Sequence, residues 1–182
     1  MIELEDATLV RRSLEGDPHA FEVLVDRYQK VVFNIAFRLT QDRGEAEDVA
    51  QTTFLKAFEA LRSYNSRHKF FSWLYAIAVH EALNASGRKG RFARLEEDVE
   101  SAGDTPEEVV TRKQIEERIV EGLAELKFEH RVVIVLKHLQ NLSYEEVSQI
   151  LGIPEKKVKS RLFTARTMLK DVLARKGMGP NG

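Results

Sequence analysis

The sequence predicts an all-α protein of two small helical domains joined by an acidic flexible linker, with a helix-turn-helix in the second domain. Three observations predict it. Apolar residues recur at i, i+3, i+4 and i+7 through most of the 182 residues, and no stretch alternates convincingly with period two. An acidic run almost free of apolar residues, from Leu95 to Glu108, interrupts that pattern. Beyond it, two helical patterns meet at Gly152-Ile153-Pro154. The expected boundaries are 1–92 for the first domain, 93–106 for the linker and 107–182 for the second domain.

In the first domain, Asp17 and Pro18 form a helix-start signal. Phe21, Leu24, Val25, Tyr28, Val32, Ile35 and Leu39 then follow at helical spacing. The polar stretch Gln41 to Gly44 breaks this helix. A second begins with Glu45, Glu47 and Asp48, acids that suit the positive end of a helix dipole, and runs to about Leu61. Ser63 to Lys69 reads as a polar loop. A third helix carries Phe70, Trp73, Leu74, Ile77 and Ala78 and dissolves into Gly87-Arg88-Lys89-Gly90-Arg91.

The run from Leu95 to Glu108 cannot bury enough apolar surface to offset the entropy of ordering it, so it reads as a solvated tether. Thr105, Pro106 and Glu108 match a cap, a first-turn proline and a capping-box acid, opening a new helical unit. Ile115, Ile119, Leu123 and Leu126 give its first helix a core stripe. Val132, Val135, Leu136 and Leu139 give its second.

The helix-turn-helix follows. Ser143 and Glu146 form a capping box ahead of Tyr144, Val147, Ile150 and Leu151. Gly152 supplies the backbone freedom that ends this helix, and Pro154 pre-sets φ for the first position of the next. In that next helix Val158, Leu162, Ala165, Leu169 and Val172 make one stripe. The remaining surface carries Lys156, Lys157, Lys159, Arg161, Arg166, Lys170, Arg175 and Lys176 against Glu155 and Asp171. A basic second helix after a tight turn is the arrangement that enters the DNA major groove. The competing reading is a surface hairpin with solvated lysines, but such a hairpin has no need of apolar Ile153 in its corner.

Composition narrows the function classes. With 28 basic and 29 acidic residues the whole chain is no polycation, so nucleic-acid binding requires segregated patches. There is no cysteine, hence no disulfide, thiolate metal site or thiol nucleophile. The five histidines form no HxxxH, HExxH or ExxH arrangement with another ligand, and no phosphate loop, nucleophile elbow or paired-carboxylate constellation occurs. Neither a metal, a cofactor nor an enzymatic activity is expected. Apolar runs such as Val132 to Leu136 are far too short to span a bilayer, and nothing resembles a signal peptide, so the expectation is a cytoplasmic protein.

The run from Leu142 to Leu169 resembles the promoter-reading region of bacterial RNA polymerase sigma factors, specifically the extracytoplasmic-function group of the sigma-70 family. It departs at Lys156 and Lys157, where that family commonly has Gly-Thr. The stretch Gly44 to Leu61 is similar to the helix with which such factors dock on core RNA polymerase, and Phe70 to Arg91 to the region that melts and reads the minus-ten element. The resemblance implies core binding through Asp48, Gln51 and Phe54. It implies minus-ten DNA binding, with a flipped base held in a pocket, through Lys56, Ala60, Tyr64, Ile77, His80 and Arg88. Family members often have Asn at the place of His80. Minus-thirty-five recognition falls on Lys156, Lys157, Lys159, Ser160, Arg161, Phe163 and Arg166. The partners implied are core RNA polymerase, promoter DNA and an anti-sigma factor. From the residues alone, Phe54 in the core, Asp48 solvated and Phe70 and Trp73 as core aromatics remain open, with the loop Ser63 to Lys69 as the site of base contacts. Two other functions also remain open: a stand-alone helix-turn-helix regulator whose first domain senses or dimerises, and a helical adaptor for an acidic partner.

Overall fold

A computed structural model describes residues 5–89 and 117–177, the side chains of 88 and 89 excepted. Among these the regular elements are all helical. The expected linker, its flanking Thr105, Pro106 and Glu108, and Ile115 lie outside the described residues.

The first helix, α1 (Asp6–Leu14), was not expected, because its core stripe amounts to Leu9 and Val10 alone. It is tied down by its first residue: the Asp6 carboxylate accepts from the Arg27 guanidinium and, at 2.5 Å, from the Tyr28 hydroxyl. The next helix, α2 (Pro18–Thr40), starts as expected, with Asp17 capping through the His19 N–H at 3.1 Å. It ends at Gln41 in the left-handed region, φ 60°, where the side-chain amide donates to the Arg38 carbonyl at 2.6 Å. Asp42 then caps α3 (Arg43–Glu59) at once by accepting from the Glu45 N–H at 2.9 Å. The break between the two helices is therefore shorter than the polar stretch suggested. A short 3₁₀ turn (Leu61–Ser63) and an exposed loop lead to α4 (Phe70–Lys89).

Helices α2, α3 and α4 pack side by side with α1 against α2. Leu24, Ile35, Leu39, Leu74 and Ala78 are fully buried between them. Each such leucine or isoleucine contributes about 1.5–3 kcal/mol relative to an exposed one.

The second half comprises a helix α5 at 117–124, α6 (Phe128–Ile134) running into a π turn (Val135–Leu139), α7 (Tyr144–Leu151) and α8 (Glu155–Arg175). Its core is Leu123, Val133, Leu136, Val147, Val158, Leu162 and Ala165. The buried residues of both halves join in one cluster, with α7 packed on α4. Polar contacts also tie the halves, among them Lys69 Nζ to Glu146 Oε1 at 2.7 Å and the Arg131 guanidinium donating to the Leu39 carbonyl.

Candidate nucleic-acid interface

The helix-turn-helix is built by local sequence. Ser143 Oγ accepts from the Glu146 N–H at 3.1 Å, and Glu146 Oε2 accepts from the Ser143 N–H at 2.8 Å. This capping box fixes where α7 starts. Gly152 ends α7 at φ 62°, the left-handed conformation that a side chain disfavours. Ser148 Oγ donates to the Ile153 carbonyl at 2.6 Å, and half-buried Ile153 packs against the core and plugs the corner. Pro154 sits at the N-cap of α8, one position earlier than expected, in extended conformation at ψ 146°.

On α8 the stripe Val158, Leu162, Ala165 and Val172 is buried, while Lys156, Lys157, Lys159, Ser160, Phe163 and Arg166 are all exposed. Phe163 is 73% exposed, so packing does not account for an aromatic there. Lys159 Nζ lies over the Tyr144 ring at 5.1 Å and 3.6 Å from Glu155, and Lys137 Nζ lies over the same ring at 4.9 Å. Arg166 Nε donates to His138 Nε2 at 2.9 Å. That bond requires a bare ring nitrogen, and burial, then the neighbouring Arg166 and Lys137 charges, hold the His138 pKa below its usual value. Arg161 is different: half-buried, it faces Glu129 Oε2 at 3.5 Å and braces α8 on α6.

On α3, Asp48 and Gln51 are exposed, but Phe54 is half-buried against the core. Its place on the open stripe is taken by Leu55 and Phe58, exposed at 59% and 55%, four and seven positions beyond Gln51. These two were missed from the sequence, although they lie off the buried stripe Ala46, Val49, Thr53 and Ala57. Phe58 is steadied by an edge-on contact with Phe21, centroids 5.0 Å apart.

Between α3 and α4 lies a cavity of about 590 Å³ lined by Lys56, Glu59, Ala60, Trp73, Ala76, Ile77, His80 and Glu81. It brings together four of the residues expected in a base pocket, Lys56, Ala60, Ile77 and His80. Tyr64 is not in its lining. Instead it packs on Trp73 and Phe70 at 5.5 and 5.4 Å, and its hydroxyl donates to the His68 carbonyl at 2.6 Å. Tyr64 thus supports a wall and closes the turn of the exposed loop. Phe70 is a core residue, whereas Trp73 is half-buried and reaches the cavity. The Arg88 side chain lies outside the described residues.

Sequence reading missed Glu81, which is 8% exposed and accepts from Lys56 Nζ at 2.7 Å with His80 Nδ1 at 3.3 Å. Burial pushes its pKa up, but the hydrogen bonds and charges of Lys56 and His80 outweigh this and hold it below the usual carboxylate value. Among the described residues there is no cluster of His, Asp and Glu able to hold a metal, and no helix long and apolar enough to cross a membrane.

Comparison with known proteins covers both halves. Residues 24–92 match the family model for Sigma-70 region 2, and residues 116–169 that for Sigma-70, region 4. The chain is 34% identical to the ECF RNA polymerase sigma-E factor of Haemophilus influenzae, covering 93% of this chain and 95% of that one. It is also 34% identical to the RNA polymerase sigma-H factor of Pseudomonas aeruginosa, over 93% and 94%. Among solved structures, CnrH in complex with the cytosolic domain of CnrY superposes with a TM-score of 0.74, at 26% identity, over 93% of this chain and 97% of that chain. The sigma factor RpoE of Bartonella quintana, in complex with the anti-sigma factor NepR, shares the fold at a TM-score of 0.69 and 23% identity, over 85% and 96%.

Proposed function

The chain belongs to the extracytoplasmic-function group of the sigma-70 family, and on that premise we propose that it binds core RNA polymerase, directs it to specific promoters and assists strand separation. The observation that carries the reading is the co-occurrence in one chain of a capped helix-turn-helix with an open basic face and a mainly apolar cavity between α3 and α4 that holds a few polar groups. A duplex-only regulator needs the first and has no use for the second. The polymerase performs the chemistry, so the chain is read as a non-enzymatic initiation factor working in the cytoplasm.

Exposure supports the following residue roles. Asp48, Gln51, Leu55 and Phe58 form a mixed polar and apolar face for docking on the polymerase, with Phe54 behind them. The start of α8 enters the major groove, with Lys159, Ser160 and Phe163 toward base edges. A phenyl ring there suits a thymine methyl group. Arg166, Lys156 and Lys157 face phosphates, which adds affinity independent of sequence. Arg161 acts through its brace on α6. In the first domain the cavity accepts one base out of the stack, against the Ile77 and Trp73 walls and the polar groups of Lys56 and His80. Arg88 is assigned a contact to the phosphate backbone of the same element. The domain limits 1–92 and 107–182, with a tether at 93–106, are part of this proposal. CnrH is solved in complex with the cytosolic domain of CnrY and the Bartonella factor in complex with the anti-sigma factor NepR, and an anti-sigma partner is proposed here as well.

The test is to add the purified chain to core polymerase on genomic DNA and map transcript starts. The proposal expects a discrete set of starts sharing two upstream elements. Starts no different from those of core polymerase alone would refute it.

A further inference from the structure

Resting on the reading of the cavity as a base pocket, we propose that Glu81 is the specificity-determining residue of that pocket and selects a base bearing an exocyclic amino group over thymine.

Glu81 is the one acidic wall residue that is buried, since Glu59, the other acid in the lining, is exposed. Both of its partners, Lys56 Nζ and His80 Nδ1, meet the same oxygen, Oε1. Among the described residues Oε2 has no hydrogen-bond partner. The Lys56 ammonium neutralises the carboxylate, so the group stays ionised in its recess and acts only as an acceptor.

A recessed acceptor discriminates between bases by what can reach it. The amino groups of cytosine, adenine and guanine project beyond the ring edge and can donate into the recess. Thymine offers only its ring N–H, set between two carbonyl oxygens that a carboxylate repels. Carboxylate acceptance from a base amino group is an established pairing. Lys56 and His80, held by Oε1, remain at the mouth to meet the acceptor atoms beside that amino group. Glu81 therefore does more than balance the Lys56 charge: a counter-ion alone would be indifferent to which base enters.

The test uses holoenzyme reconstituted with the full chain, on promoters carrying each of the four bases at each position of the melted element. Open-complex formation is read by abortive transcript yield. At one position wild type should favour amino-bearing bases over thymine by about ten-fold, the size expected of one good base contact. The isosteric Glu81→Gln variant, whose amide both donates and accepts, should bring that ratio to within about two-fold while leaving core binding and minus-thirty-five binding unchanged. A second arm needs no variant. Wild type should lose a similar factor when the preferred base is replaced by its analogue lacking only the amino group. Equal opening with base and analogue by wild type, or an undiminished ratio in folded Glu81→Gln, overturns the assignment. Ala60→Trp, which fills the cavity, separates this from the parent reading. Defective opening in Ala60→Trp beside an undiminished ratio in Glu81→Gln removes Glu81 alone, whereas full opening in Ala60→Trp removes the pocket and this assignment with it.

Discussion

Replacing Arg131 by methionine removes a charged group that has no acid partner among the described residues and is satisfied by main-chain carbonyls alone. Its Nε donates to Leu123 at 2.8 Å, its Nη2 to Leu126 at 2.9 Å and Ala124 at 3.1 Å, and its Nη1 to Leu39. Those carbonyls lie at the C-terminal ends of α5 and α2, where helices leave acceptors unpaired and the dipole favours a cation. Hydrogen bonds from a charged donor are worth about 1.5–3 kcal/mol each, which bounds four of them at roughly 6–12 kcal/mol. Two effects reduce the sum. The Ala124 contact is open to water, which replaces the lost donor there. Burial of the guanidinium, which lowers its pKa, is a cost that methionine does not incur. We therefore expect Arg131→Met to cost about 3–5 kcal/mol, most of it from carbonyls stranded beside Leu39, Leu123 and Leu126, all buried residues. With a slope of about 2 kcal/mol/M in urea, the unfolding midpoint followed by circular dichroism should fall by roughly 1.5–2.5 M. Arg131→Lys, with three donors on one nitrogen, should recover part of this. A methionine variant within about 1 kcal/mol of wild type would refute the reasoning, because ordinary surface substitutions fall in that range.

Gly152→Ala places a side chain at φ 62° where its Cβ would meet nothing within 4 Å, so the cost is purely conformational, about 1–2 kcal/mol, and measurable as a lower urea midpoint. His138 carries a pH dependence. Its folded pKa lies below the ordinary 6.5, so the unfolded chain binds the proton first, and this contribution is present above pH 6.5 and lost as pH falls from there through the lowered folded value. His138→Gln should flatten the fall in urea midpoint between about pH 7.5 and 5.5, relative to wild type. An unchanged slope would remove the Arg166 contact from the account. Lys159→Ala should cost about 1–3 kcal/mol at one base of the upstream element, read by competition binding of holoenzyme to matched and altered sites. Arg166→Ala should weaken all sites alike and flatten the salt dependence.

What the sequence disclosed tracks how local each determinant is. The capping box of Ser143 and Glu146, the left-handed Gly152 and the stripe from Val158 to Val172 were legible because each is decided within a turn or two of helix. The start of α2 at Asp17 was legible for the same reason. Helix α1 was not, since two buried residues leave no periodicity to read. The cavity was foreseen only through family resemblance, and even then Tyr64 was placed in its lining instead of behind Trp73. Glu81 was invisible because its partner Lys56 lies twenty-five positions earlier on another helix, and no spacing rule joins them. The π turn from Val135 to Leu139 escaped for a related reason: it preserves apolar residues while shifting their register. Leu55 and Phe58 were within reach, as apolar residues on the stripe that the core does not use.

On the proposed reading this chain recognises promoters as part of RNA polymerase and not alone. The most direct measurement is a footprint of one responsive promoter with the chain alone, with core polymerase alone, and with both, probing duplex protection and unpaired bases together. Only the combination should protect both upstream elements and expose unpaired bases at the downstream one. Protection of the promoter by the chain alone, unchanged on adding core polymerase and with no strand opening, would contradict it.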